Sequence, residues 1–339
     1  MRALPRNSVL VGDAASLLAM LPSRSVDCVV TSPPYFMLRD YGVQGQLGLE
    51  SSVDLWVEEL RTVFRGLARV LKPAGSVWLN VADSYSRHDR LGAQPKSLLL
   101  SPERLATALV ADGWIVRNRI CWVKSNPMPS SVTDRLTCTW EFVYVLTRSP
   151  SYYFNLDAIR VPHTTTRAPT SRTRQTGSAL PRPSWAGPLA GSQSGLARLK
   201  AQGISGHKLG KNPGDHWVTA ASNFRGQHFA TFPEELIRRP ILAACPERLC
   251  MSCGTPWSRT RRGKPSDAPL LPGCRCKSKG RRGVVLDPFF GSGTVGVVAE
   301  ALNRDWLGIE INPKFAHLAT TRVASRSKRS VKGGEPHGA

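Results

Sequence analysis

The chain has 339 residues, enough for a full α/β core with a smaller module attached. Its 46 Lys and Arg against 24 Asp and Glu give a formal charge of +22, which points to a polyanionic partner, first of all nucleic acid. No apolar run approaches the ~20 residues of a membrane span, and Asp13 interrupts the apolar core a signal peptide would need; a cytoplasmic protein with reduced cysteines is expected.

Short apolar runs at 8–12 and 26–31 predict buried strands, with helical spacing over 14–21 between them. Leu55, Leu60, Val63, Phe64, Leu67, Val70 and Leu71 place a helix over 54–71. Pro73-Ala74-Gly75 then predicts a turn into a strand at 76–81. A helix over 102–112 leads through Gly113 to a strand at 115–123, and 141–147 reads as another strand. Strands alternating with helices predict an α/β fold, Rossmann-like, with a mainly parallel sheet covered on both faces. Residues 1–154 form its first half.

The texture changes over 155–227. From Ala158 to Gly214 there is no Asp or Glu, while Arg160, Arg167, Arg172, Arg174, Arg182, Arg198, Lys200, Lys208 and Lys211 all fall there. Two readings stand: a disordered basic linker over 163–206, or a segment that orders on a phosphate backbone. Regular patterning returns at 228–233, followed by a helix over 234–244, a cysteine-rich insert at 245–280 and a strand–loop–helix–strand unit at 284–311. Residues 228–244 and 281–324 form the second half of the fold, and the basic tail at 325–339 is expected to be disordered.

Two stretches carry chemistry. Thr31-Ser32-Pro33-Pro34-Tyr35 follows the apolar run 26–30. A hydroxyl, a carbonyl held rigid by two prolines and an aromatic ring can grip an exocyclic amine and its base. The second, Asp287-Pro288-Phe289-Phe290-Gly291-Ser292-Gly293-Thr294, follows the strand at 283–286. Gly291, Gly293 and Gly296 match a dinucleotide pattern. An acidic residue and Pro-Phe-Phe between strand and glycines, and the absence of a second nucleotide-binding half, argue against NAD. Glu310 ends the next strand, where a carboxylate can accept ribose hydroxyl protons or merely be solvated. Asp13, after another strand-like run, suits either a cofactor contact or a helix N-cap.

Together these motifs resemble the amino-group DNA methyltransferases, the N4-cytosine/N6-adenine family, over residues 7 to 325. The resemblance extends through residues 72–75, 122–127, 129–135 and 212–217, and matches the branch in which the Ser-Pro-Pro-Tyr motif comes first, with target recognition between the motifs, here at 155–227. It implies S-adenosylmethionine as methyl donor, held by Asp287, Phe289, Gly291, Ser292, Gly293, Thr294 and Glu310, with Asp13 at the adenine side. Phe232-Pro233 resembles the other cofactor wall, with Phe229 and Leu236 nearby. Catalysis is implied for Ser32, Pro33, Pro34 and Tyr35: Ser32 and the Pro33 carbonyl accept the two amine protons, and Tyr35 stacks on a base flipped from duplex DNA. Lys124, Arg135, Arg167, Arg172 and Arg174 are candidate phosphate contacts. Ser rather than Asp before Pro-Pro-Tyr favours N4-cytosine over N6-adenine. An RNA methyltransferase and an inactive DNA-binding protein are the rival functions, and a cognate restriction endonuclease is a candidate partner.

Cys250, Cys253, Cys274 and Cys276 have the spacing of a structural Zn2+ knuckle. Arg259, Arg261, Arg262 and Lys264 make its loop basic and a further candidate DNA contact. Cys28, Cys121 and Cys138 read as core residues.

Overall fold

The computed structural model describes residues 3–163, 207, 209–221, 232–259 and 268–332, for 327–332 the backbone only. Its elements begin with β1 (Ser8–Val11), α1 (Ala14–Met20), β2 (Val26–Thr31), α2 (Val53–Val70), β3 (Leu71–Val81) and α3 (Ser101–Ala111). β4 (Ile115–Lys124), β5 (Trp140–Thr147), β6 (His216–Thr219) and α4 (Glu234–Ala244) follow. The cysteine insert holds four two-residue strands: β7 (Leu249–Cys250), β8 (Ser258–Arg259), β9 (Leu270–Leu271) and β10 (Gly280–Arg281). After it come β11 (Val284–Asp287), α5 (Thr294–Ala301), β12 (Asp305–Glu310) and α6 (Pro313–Lys332).

The main sheet has eight strands in the order β1-β12-β11-β2-β3-β5-β4-β6. Only β5 runs against its neighbours, pairing antiparallel with both β3 and β4. Every residue of β2, β11 and β12 is buried, as expected where helices cover both faces of a parallel sheet. Among the helices, α2 shows most directly why this sequence folds so. Val53, Trp56, Val57, Leu60, Val63, Phe64, Leu67 and Val70 recur at helical spacing and are all buried; each large apolar side chain contributes about 1.5–3 kcal/mol. Ser52 caps its first turn by accepting from Leu55 N at 3.3 Å, and the chain leaves in extended conformation at Leu71.

Two sequence expectations are corrected. Pro73-Ala74-Gly75 is an excursion within β3, not a turn before it: Val26 faces Leu71 and Cys28 faces Ser76, so residues 72–75 bulge opposite Asp27. The buried Asp27 carboxylate draws in Lys72 as an ion pair and accepts from Val284 N at 3.0 Å. Residues 326–332 are helical, since α6 runs on to Lys332. Residues 216–219 are a sheet strand, with Trp217 beside Trp122 in the parallel β4–β6 pair. The chain divides into one unit of 1–158 with 214–339 and another of 159–213. In the latter, Val161 and Lys211 form an antiparallel bridge and Arg160 donates to Gly210 O. No described helix is long and apolar enough to cross a membrane.

Candidate active site

β2, β11 and β12 are adjacent and parallel, so their carboxyl ends, Thr31, Asp287 and Glu310, emerge along one edge. A crevice beyond such an edge is where open α/β sheets bind ligands. Here it is a cavity of about 1330 Å³ lined by both motifs: Ser32, Pro33, Pro34 and Tyr35 from the first, Pro288, Phe289, Phe290, Ser292 and Thr294 from the second. That exceeds the ~300–1,000 Å³ of a single ligand pocket, so the cavity has room for more than one small ligand.

The two motifs are tied directly. Thr31 Oγ1 donates to Asp287 Oδ1 at 2.7 Å, and Phe289 N donates to the same oxygen at 3.0 Å. Asp287 is therefore a brace between the motifs and shows 1% exposure. Burial pushes its carboxyl up to about 7, although the two donors and the nearby Glu310 also act on it, the donors downward. Glu310 holds the glycine loop in the same way: Oε2 accepts from Gly291 N at 2.7 Å and Oε1 from Asn312 N at 2.9 Å. Burial raises its carboxyl as well, and it lines the cavity. Gly293 turns the chain into α5 with φ +78°, a conformation costly to any residue with a Cβ. Arg322 of α6 secures the turn by donating to Ser292 Oγ and Thr294 Oγ1 at 3.0 and 2.9 Å.

The raised Asp287 pKa has a stability consequence. A carboxyl that binds its proton more tightly folded than unfolded stabilises the fold fully below the ordinary carboxylate pKa. That contribution is lost as pH rises through about 7. The ligand-free protein is expected to melt at lower temperature at pH 8 than at pH 6. Asp287→Asn, whose Oδ1 can still accept from Thr31, should flatten that slope; thermal melts across the range decide it.

The wall beside the Ser-Pro-Pro-Tyr motif contains groups the sequence did not announce. Ser32 Oγ donates to Tyr35 OH at 3.1 Å, and Tyr35 OH donates to Glu141 Oε2 at 2.8 Å and lies 3.1 Å from Asn80 Oδ1. Asn80 comes from β3 and Glu141 from the start of β5, the reversed strand that brings its amino end to this edge. A charged residue opening an otherwise apolar strand was the available signal for Glu141. Burial, then the Glu141 charge, pushes the Tyr35 phenol well above its ordinary value.

Other expected site residues take varied places. Asp13 lines the cavity and also caps α1, accepting from Ser16 N at 2.8 Å. Phe232 lines the cavity, Pro233 is the N-cap of α4, and Leu236 is core. Lys124 is ion-paired with Glu141 at 2.5 Å and sits over the Trp122 ring; Arg135 lies 3.7 Å from the Tyr85 ring centroid. Arg167, Arg172, Arg174, Phe229, Arg261, Arg262 and Lys264 lie outside the described residues. Arg259 is bound within the insert by Glu247 and Ala268 O. Cys28 is core, but Cys121 is half-buried and Cys138 exposed on the cavity wall, 3.7 Å from Tyr85 OH. The loop before β5 leaves the sheet there, so apolar neighbours do not close over Cys138. The Sγ atoms of Cys250, Cys253, Cys274 and Cys276 all lie within 4.8 Å of one another.

A mainly parallel sheet with one reversed strand, and two strand-end loops distant in sequence opening on one cavity, define a methyltransferase fold. The fold matches that of the PvuII DNA methyltransferase (cytosine-N4-specific), with a TM-score of 0.57 and 16% identity over 98% of this chain and 94% of that one. It also matches a Thermus thermophilus protein solved in complex with S-adenosyl-L-methionine, with a TM-score of 0.52 and 23% identity over 94% and 95%. The type II methyltransferase M.Cfr9I of Citrobacter freundii is 35% identical over 95% of this chain and 89% of its own length. M.SmaI of Serratia marcescens is 32% identical over 94% and 91%. The N6/N4 DNA methylase family matches residues 26–321, and the chain belongs to that family.

Proposed function

We propose that this protein is a type II, site-specific DNA methyltransferase that methylates the exocyclic N4 amine of a cytosine flipped from duplex DNA, with S-adenosylmethionine as donor. The observation that carries the reading is the shared cavity: Ser32 and Glu310, 278 positions apart, line one space large enough for donor and base. Bound there, S-adenosylmethionine supplies a methyl group activated by its sulfonium. The Glu310 carboxylate faces the cavity to accept ribose hydroxyl protons, and Phe289 and Phe232 offer apolar walls. Ser32 Oγ and the Pro33 carbonyl accept hydrogen bonds from the two amine N–H groups, which aims the nitrogen lone pair at the methyl group. Positioning supplies the acceleration, and no covalent enzyme intermediate is formed. The charge of +22 suits a phosphate backbone. Residues 155–227, basic and inserted between the motifs, are the proposed recognition region. The type II names of the curated relatives support a cognate restriction endonuclease as partner.

Transfer of labelled methyl to duplex DNA, with mass spectrometry of the digested product, tests the reading. N4-methylcytosine is the expected product; N6-methyladenine alone would replace the cytosine assignment, and methyl found only in RNA would replace the DNA assignment.

The cysteine insert is proposed to hold structural Zn2+. Four thiolates ~2.3 Å from a tetrahedral ion stand about 3.8 Å apart, which sulfurs already gathered within 4.8 Å can meet with small shifts. β7 and β10 pair at its base, so the ion would close the loop onto the second half of the fold. Purified protein should contain about one zinc ion per chain, and chelation should lower its melting temperature by several degrees. Zinc-free protein whose melting is indifferent to chelator would end the proposal.

A further inference from the structure

The Ser32 hydroxyl is useful to an amine only if its own hydrogen points away from the substrate. The surrounding network dictates that direction. Lys124 pairs with Glu141 Oε1, and the carboxylate can only accept hydrogen bonds. Asn80 Nδ2 donates to Glu141 Oε2 at 3.0 Å and to Phe142 O at 3.1 Å. This fixes the orientation of the Asn80 amide, so that its oxygen, another acceptor, faces Tyr35. The Tyr35 phenol therefore meets acceptors on that side and must give its hydrogen to them. Toward Ser32 it can only accept, so the Ser32 hydrogen is drawn inward at 3.1 Å, leaving oxygen lone pairs toward the cavity.

Building on the methyltransferase reading above, we infer that Glu141 is a positioning residue which, through Tyr35, holds Ser32 as a hydrogen-bond acceptor for the target amine. Tyr35 thus has a second role besides stacking: its ring faces the base while its hydroxyl transmits the polarity set by Glu141. Lys124, a candidate phosphate contact from the sequence, braces the carboxylate that anchors the chain of bonds. A carboxylate in place of Ser32 would accept without such help; a hydroxyl needs it.

Tyr35→Phe keeps the ring and removes the relay, and Glu141→Gln keeps the shape and introduces a donor. Each is expected to lower kcat for methyl transfer to duplex DNA roughly tenfold to a hundredfold, with KM for DNA and Kd for S-adenosylmethionine within about twofold of wild type. In a Ser32→Ala background, Tyr35→Phe should cost nothing further, because the hydroxyl it orients is gone. Wild-type kcat in both single variants, or a full multiplicative loss from Tyr35→Phe in the Ser32→Ala background, would overturn the inference. Retained cofactor binding shows that a slow variant is folded, and Tyr35→Phe alone suffices should Glu141→Gln not fold. Methyl transfer by the wild type separates the two levels: with it, these outcomes bear on Glu141 alone, whereas a wild type inert toward DNA removes the reading of the site itself.

Discussion

Replacing Ser32 by alanine is expected to reduce the rate of methyl transfer by roughly a hundredfold to a thousandfold, about 3–4 kcal/mol of barrier, while S-adenosylmethionine binds with nearly unchanged affinity. The physical basis is that one of the two acceptors for the amine protons disappears. The nitrogen lone pair then stays delocalised into the ring and is poorly aimed at the methyl group. Nothing else in the site needs to move. Ser32 is only half-buried, Tyr35 keeps its bonds to Glu141 and Asn80, and the brace from Thr31 to Asp287 belongs to the preceding residue. Single-turnover transfer of labelled methyl to duplex DNA, beside calorimetric cofactor binding, measures both quantities. Unchanged turnover would refute the role assigned to Ser32. An equal loss of cofactor affinity would mean that the substitution had disturbed the glycine loop instead.

Gly308→Ala is expected to produce the largest loss of stability, about 3 kcal/mol from overpacking and so roughly 5–10 °C in melting temperature. Gly308 lies in the middle of β12, far from any turn. A Cβ there would come within 2.3 Å of Phe290 Cγ and 2.5 Å of Cδ1. The root of the ring cannot swing away, because Phe290 stacks on Trp306 at 5.2 Å and 8° and is nearly fully buried. Its backbone N donates to Ile309 O at 2.8 Å, so pushing the ring also pulls the glycine loop, proposed to hold the cofactor, from the sheet. Cofactor affinity should therefore fall at least about tenfold along with stability, beyond what the packing cost alone implies. Thermal denaturation with and without S-adenosylmethionine separates the two losses; a variant with normal melting and normal affinity would show that β12 yields more readily than its geometry suggests.

The two predicted motifs were legible because each is contiguous and sits where a buried apolar run ends, and the residues needed for a tight strand-to-loop passage are themselves distinctive. The helix over 54–71 was legible because Leu60, Val63, Phe64, Leu67 and Val70 recur at its period and are buried, although Leu55, read with them, is exposed. Asn80 and Glu141 were not, since alternation along a strand marks burial without telling which strand lies beside it. The pairing of β5 between β3 and β4 is non-local, and only that pairing brings Glu141 to Tyr35. Cys138 was misread for the converse reason: its local context resembles a strand, but the chain has left the sheet there. The tail was misread over 326–332 because its basic, small residues hide the continuation of a helix anchored further back by buried Ala316, Ala319 and Val323.

By itself the sequence determined the fold class, the two strand-end loops, the four gathered cysteines and the basic character of the chain, all of which depend on local backbone sterics, periodicity or charge. Only the tertiary structure decided which polar groups face one another: Asp287 as the brace of Thr31, Phe290 wedged against Gly308, Lys124 turned inward, and Glu141 behind Tyr35. The reason is that a buried polar atom needs a partner wherever the packed sheet supplies one, and packing joins residues far apart in the chain, as Thr31 and Asp287 are across 256 positions.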